Sequence, residues 1–197
     1  MVGEKIKEIL GSLPDKVKLC AVSKYHPVEM IQEAYNAGQR IFGESHVQEL
    51  QQKHAMLPSD IEWHFIGHLQ TNKVRYIAPY ISIIHSVDSP RLLNEINRQA
   101  IRNNRQIPCL LQLHVAREET KYGFTDKECL EYLRSGEFRT LKGVLVSGIM
   151  CMATNTEDQE IIRHDFHPAN QFFRQCREEF PDLADSMHFR SWGMSGD

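Results

Sequence analysis

Short apolar runs alternate along this chain with longer amphipathic stretches. Seven runs rich in β-branched, aromatic and other apolar residues predict strands, at residues 17–23, 40–43, 62–66, 81–86, 109–115, 141–147 and 187–192. Apolar residues that recur with the helical period predict helices between them, at residues 28–37, 48–53, 71–76, 91–102, 127–134 and 157–180. A further helix precedes the first strand. The pattern is therefore a helix followed by repeated strand–helix units.

Local signals at the helix ends support several of these elements. Ser89 and Pro90 are typical of an N-cap and a first helical turn. Thr125 and Glu128 have the spacing of a capping box, and Gly38 suits the position just after a helix. Pro168 lies inside the longest predicted helix and is expected to start, kink or split it.

Strict alternation of strands and helices leaves two architectures, a (βα)8 barrel and an open doubly wound sheet. The open sheet favours a glycine-rich turn after the first strand, and residues 23–27 read SKYHP without one. We therefore predict an α/β fold of the (βα)8 TIM-barrel type. Only seven strands are predicted, so the eighth strand is missing from this chain, and we draw residues 1–197 as one domain.

The overall composition excludes several classes of protein. The formal net charge is −3, which argues against nucleic-acid binding driven by bulk charge. No apolar run approaches the ~20 residues of a membrane span, and the charged N-terminal stretch lacks the apolar region of a secretory signal. Five widely spaced cysteines without a C-x-x-C motif disfavour disulfides and a thiolate zinc site. We expect a cytoplasmic protein without a membrane or nucleic-acid partner.

Chemistry in a (βα)8 barrel lies at the carboxyl ends of the strands. Alternation along the first strand places Cys20, Val22 and Lys24 on one face. Partial burial disfavours the ammonium form of a lysine, and a neutral amine forms an imine with an aldehyde. A lysine that only extends from the barrel rim into solvent is the alternative.

A glycine-serine turn follows the seventh strand. Gly193, Met194, Ser195 and Gly196 offer backbone N–H groups and a hydroxyl with little crowding. Phosphate often binds at the loops after strands seven and eight of such barrels, although an ordinary turn is the alternative. A lysine at the first strand and a phosphate site at the seventh suit a phosphorylated aldehyde, for which pyridoxal 5′-phosphate is the candidate.

Several motifs closely resemble the pyridoxal phosphate homeostasis proteins of the YggS/PROSC type. They are AVSK (21–24), FGESHVQE (42–49), WHFIGHLQTNK (63–73), HSVD (85–88), EETKYGF (118–124), GIM (148–150) and GMSGD (193–197). The resemblance runs from about Lys18 to the last residue. It implies a barrel of the alanine-racemase N-terminal type that is often monomeric, with the cofactor on Lys24 as a Schiff base.

The resemblance also implies a function and further site residues. Members of the family carry or buffer the cofactor and keep vitamin B6 and amino-acid pools in balance, with cofactor-dependent apo-enzymes as possible recipients. Ser195 corresponds to a phosphate-binding serine, whereas the family's glycine-serine-threonine turn and arginine on the eighth strand are missing here. Ser45 replaces an asparagine near the cofactor, His68 replaces a proline, and Trp192 replaces a methionine.

The histidines and the type of function leave alternatives. His64 is placed in the cofactor site, beside the alternative of a histidine in the core or rim, and no metal site is expected. The protein is a non-catalytic carrier, an amino-acid racemase or lyase, or a barrel that has lost the cofactor. A racemase needs a second acid or base across the cofactor. Tyr25 is the only tyrosine near Lys24, and alternation would point it to the opposite face, which favours the carrier.

Overall fold

The computed structural model describes residues 1–115, 122–154 and 156–192. Seven parallel strands form one sheet in which each strand pairs with the next in sequence. The strands are β1 (Ala21–Val22), β2 (Ile41–Glu44), β3 (Glu62–Phe65), β4 (Ile83–Val87), β5 (Ile107–Leu113), β6 (Val144–Cys151) and β7 (Phe189–Ser191). The sheet of parallel strands in sequential order is a curled half-barrel, and the predicted TIM-barrel-like fold is confirmed, with seven strands in the described residues.

Helices follow the strands and cover the outside of the sheet. They are α1 (Val2–Ser12), α2 (Val28–Asn36), α3 (Val47–Met56), α4 (Val74–Ile77), α5 (Pro90–Arg102), α6 (Asp126–Ser135), α7 (Gln159–Glu179) and α8 (Pro181–Ala184). Short 3₁₀ turns occupy Thr71–Lys73 and Glu137–Thr140. None of the helices in the described ranges has the length and apolar character of a membrane span.

The predicted end signals of three helices are confirmed. The Ser89 hydroxyl accepts a hydrogen bond from the Leu92 N–H at the start of α5. Thr125 and Glu128 form a reciprocal capping box at the start of α6. Gly38 follows α2 with φ +109°, a conformation that a side chain disfavours.

The expectation that Pro168 starts or splits a helix is wrong, because α7 runs through it from Gln159 to Glu179. Proline removes one N–H donor, but Ala169, Phe172 and Phe173 just beyond it are buried in the core. Tertiary packing of this apolar face holds the helix together on both sides of Pro168.

The predicted strand boundaries needed adjustment, and the largest changes are at the first and sixth strands. The first pairs as a strand only at Ala21 and Val22, since the preceding residues include Val17, which is 51% exposed. The sixth runs three to four residues later than predicted, over Val144–Cys151. These shifts leave the order of elements unchanged.

The two faces of the sheet have different environments. The outer face packs on the helices, where Phe42, Trp63 and Phe65 are each 1% exposed. Full burial of one such side chain contributes roughly 1.5–3 kcal/mol, so this layer is the main source of stability. The inner face carries a small apolar cluster of Ile83, Leu110 and Met150. Polar side chains share this inner face, and they form the candidate site.

Candidate functional site

Lys24 lies in the turn directly after β1, at the carboxyl end of the strand. Val22 pairs with Gly43, and Gly43 pairs with His64, so Val22, Gly43 and His64 share one row of the inner face. Lys24 lies two residues beyond Val22 at the mouth of the barrel. Its side chain is half-buried, and within the described ranges it has no hydrogen bond or ion pair. The predicted position of Lys24 at the mouth is confirmed.

Tyr25 departs from the predicted alternation. Its backbone has φ +64°, which is uncommon for a residue with a side chain. The turn brings the Tyr25 ring centroid to 5.8 Å from Lys24 Nζ, and the ring is 75% exposed. The expectation that Tyr25 points to the face opposite Lys24 is therefore wrong, because strand geometry ends before this turn.

A buried polar cluster lies beneath the turn, on the helix-facing side of the sheet. Lys53 from α3 is 4% exposed and Glu44 from β2 is fully buried. Lys53 Nζ lies 2.6 Å from Glu44 Oε1 and donates to the Ser23 carbonyl over 2.6 Å. The Ser23 hydroxyl donates to the same Glu44 oxygen over 2.6 Å. Our sequence analysis missed this cluster, although the FGES and VQE motifs contain its two acidic residues, Glu44 and Glu49.

Ser45 follows β2 at the mouth and is half-buried. The chain passes very close to it at Gly67, where an added Cβ would lie 2.5 Å from the Ser45 carbonyl oxygen. Glycine at position 67 therefore permits the loop after β3 to lie against Ser45. This contact fixes the backbone on which the Ser45 hydroxyl is presented.

His64 belongs to a hydrogen-bonded chain across the barrel interior. His64 Nδ1 lies 2.9 Å from His85 Nε2, and His85 Nδ1 lies 2.8 Å from the Ser191 hydroxyl. Burial, with smaller contributions from charge repulsion by His85 and Lys18, lowers the pKa of His64 to about 3. Burial lowers the pKa of His85 to about 4. Both imidazoles are therefore neutral at pH 7, and one ring donates to the other.

The predicted alternation at β3 is confirmed, since His64 lies on the inner face and Trp63 is buried against the helices. Sequence reasoning did not link the two histidines to Ser191, because Ser191 in β7 lies 106 residues beyond His85 in β4. Parallel strands bring these three residues together only when the sheet curls.

The other departures from the family pattern lie at the rim. His68 stacks on Tyr122 with ring centroids 3.7 Å apart, and its Nδ1 lies 3.1 Å from Asp88 Oδ2. Trp192 packs beside Phe166, with ring centroids 6.3 Å apart.

The predicted phosphate-binding residues lie outside the described residues. They are Gly193, Met194, Ser195 and Gly196. The chain reaches them directly from β7, whose Ser191 pairs with Met150. In the described ranges, no group of three or more acidic, histidine or cysteine side chains is arranged to hold a metal ion.

Comparison with known protein families gives one match over almost the whole chain. Residues 3–197 match the family described as "Alanine racemase, N-terminal domain". A pyridoxal phosphate homeostasis protein of Vibrio alginolyticus is 35% identical over 192 residues, which cover 95% of this chain and 80% of that protein. Another from Aquifex aeolicus is 36% identical over 198 residues, covering 98% and 83% of the two chains.

Solved structures agree with the sequence relatives. PipY of Synechococcus elongatus without pyridoxal phosphate is 34% identical, with a TM-score of 0.93 over 100% of this chain and 91% of that one. The same protein with pyridoxal phosphate bound gives a TM-score of 0.89 at 33% identity, with the same coverage. Alanine racemase of E. faecalis, at 17% identity and a TM-score of 0.67, covers 87% of this chain and 48% of its own and shares the fold.

Proposed function

We propose that this chain, which belongs to the pyridoxal phosphate homeostasis family and has the alanine racemase N-terminal domain fold, binds pyridoxal 5′-phosphate. We further propose that it acts in vitamin B6 and amino-acid homeostasis. Its relatives carry that name, and the related PipY structure holds the cofactor. The proposed anchor is the side chain of Lys24, through a Schiff base. The protein would deliver the cofactor to apo-enzymes that depend on it.

The state of Lys24 is the observation that carries this proposal. Its amine lies at the barrel mouth and is held in no ion pair within the described ranges, whereas Lys53 nearby uses its three donors on three acceptors. When bound, the cofactor supplies an aldehyde that an amine holds covalently and reversibly. An unpaired amine suits this role, because no carboxylate has to be displaced.

The neighbouring polar groups fit the remainder of such a ligand. Ser45 contributes a hydroxyl at the mouth, and the neutral His64–His85 pair contributes His64 Nε2, which donates or accepts without adding charge, since the other three nitrogens bond within the pair and to Ser191. The Ser191 hydroxyl holds His85 and so fixes the orientation of the pair. We assign Ser45 and His64 to cofactor binding on this basis.

The phosphate is assigned to the turn after β7. Gly193, Met194 and Gly196 would donate backbone N–H groups, and Ser195 would add its hydroxyl. Resemblance to the family motif supports the assignment of Ser195. The position of β7 next to β6 leads the chain toward the mouth and agrees with it.

A non-catalytic role agrees with the names of the relatives. We propose a monomer in a reducing, cytoplasmic setting, which the five unpaired cysteines support. One observation favours a racemase or lyase as the second candidate. Tyr25 lies beside Lys24 Nζ, where its hydroxyl could serve an added amino acid.

Absorbance spectroscopy tests the function and separates the two candidates. We expect pyridoxal phosphate to give a saturable imine absorbance with wild-type protein and none with Lys24→Ala. Alanine or serine added afterwards should give no sustained turnover. Turnover that requires Lys24 would establish the enzyme, and absence of any imine signal from the wild type would contradict cofactor binding through this lysine.

A further inference from the structure

We propose that Lys53 is a positioning residue for Lys24, acting through the backbone on both sides of it. The Lys53 cluster is defined here as Lys53, Glu44 and Glu49. The inference rests on the proposed function, since it concerns how Lys24 is held ready to capture an aldehyde.

Lys53 is an unusual lysine for a helix on the outside of a barrel. It is 4% exposed, and its ammonium group makes three contacts of 2.6 Å, to Glu44 Oε1, to Glu49 Oε1 and to the Ser23 carbonyl oxygen. Three acceptors use all three of its N–H donors. Burying a charge is costly unless it is paired and hydrogen-bonded, and the Lys53 ammonium group meets both conditions. Lys53 is therefore fixed in one orientation and is not a competing nucleophile.

The cluster holds the two peptide groups that flank Lys24. On one side, Lys53 Nζ binds the carbonyl oxygen of Ser23. On the other side, the Tyr25 N–H donates to Glu49 Oε1 over 2.6 Å. Hydrogen bonds to charged groups are stronger than those between neutral groups. The backbone of Lys24 is thus anchored from beneath by charged partners, while its half-buried side chain makes no hydrogen bond or ion pair within the described ranges.

The conformation of Tyr25 indicates why such anchoring is needed. A residue other than glycine is strained at φ +64°, and contacts with its surroundings must offset this strain. The bond from the Tyr25 N–H to Glu49 is a direct offset, because it holds that peptide group in the turn. Without it, the turn would relax, and Lys24 would occupy the productive position for less of the time.

Arg105 provides a matched control at the other end of the barrel. It is a half-buried cation that donates to two backbone carbonyls, those of Ala78 and Ile81, each over 2.7 Å. These residues lie before β4 and β5, at the amino ends of the strands. Arg105→Met removes a comparable cation–carbonyl anchor from a place that touches no part of the proposed site.

The experiment uses the full chain and pyridoxal phosphate as the probe. It follows the rate of imine absorbance and the dissociation constant for wild type, Lys53→Met and Arg105→Met, with melting temperatures measured in parallel. We expect both variants to melt earlier. Only Lys53→Met should slow capture and weaken binding, by about tenfold or more, since small misplacements of a reacting group cost up to ~10²-fold.

Glu49→Ala serves if Lys53→Met does not fold. It removes the acceptor of the Tyr25 N–H but leaves the buried Glu44–Lys53 pair in place. We expect slower capture, and we expect the double variant Glu49→Ala/Tyr25→Gly to recover much of the rate, because glycine adopts positive φ without strain. A role in stability alone would not produce this recovery.

Three results would overturn the inference. Capture at the wild-type rate by Lys53→Met or Glu49→Ala would show that the cluster does not position Lys24. Equal slowing by Arg105→Met would assign the effect to overall stability. A wild type that forms no imine on Lys24 overturns the proposed function as well, and this is read from the wild type alone.

Discussion

The buried histidine pair makes a specific prediction about stability and pH. His64 and His85 have folded pKa values of about 3 and about 4, against an ordinary value of 6.5. The unfolded chain therefore binds two protons as the pH falls below 6.5, whereas the folded pair stays neutral until about pH 4. Acidification stabilises the unfolded state, so the free energy of unfolding must decrease as the pH is lowered across this window.

The size of this loss of stability depends mainly on the ordinary pKa of histidine in the unfolded chain. Below pH 6.5, each histidine that is protonated only on unfolding removes about 1.4 kcal/mol per pH unit. Integrated from pH 7 to pH 5, this is about 2 kcal/mol for each histidine and about 4 kcal/mol for the pair. Both folded pKa values lie below pH 5, so their exact positions change this sum little.

Urea unfolding at pH 7, 6 and 5 measures the effect, and the double variant His64→Gln/His85→Gln is the comparison. Glutamine retains hydrogen-bonding groups but does not titrate. The remaining histidines and carboxylates are common to both proteins and cancel in the difference. We expect the wild type to lose about 4 kcal/mol more than the variant between pH 7 and pH 5. Equal losses in the two proteins would refute the neutral, buried pair.

Three further predictions concern the mouth, a helix cap and a thiol. Gly67→Ala should lower the free energy of unfolding in urea by about 1–3 kcal/mol and weaken cofactor binding, because the new Cβ would press on the Ser45 backbone. An unchanged dissociation constant for the cofactor would show that Ser45 is not part of the site. Thr125→Ala should lower the free energy of unfolding by about 1 kcal/mol, as its hydroxyl caps the Glu128 N–H; no change in the urea midpoint would argue against the capping box. Cys20 is half-buried, and desolvation raises the pKa of its thiol to about 12. Mass spectrometry should therefore find slow alkylation at pH 8 in folded protein and rapid alkylation in urea, and equal rates would contradict the raised pKa.

Much of the architecture follows from local pattern. The order of strands and helices, the capping box at Thr125 and the inner position of His64 could all be read from periodicity and capping signals. Where local and tertiary preferences conflict, the sequence is less informative. Pro168 disfavours a continuous helix, but burial of the residues around it decides the outcome.

The candidate site shows the same division. The position of Lys24 could be predicted because the alternation of side chains holds up to the end of β1. The direction of Tyr25 was predicted wrongly because the alternation ends at a turn with positive φ. His85 and Ser191 are 106 residues apart, and no local signal links them. Lys53 would ordinarily be read as a solvent-exposed helix residue, since lysine is rarely buried unless it is paired.

Chemical trapping of the cofactor tests the central claim most directly. Purified protein is incubated with pyridoxal phosphate, reduced with borohydride and digested, and the modified peptide is identified by mass spectrometry. We predict one reduced adduct per chain, on Lys24, and its loss in Lys24→Ala. Full modification of Lys24→Ala, or an adduct on Lys73 or another lysine in the wild type, would contradict the account.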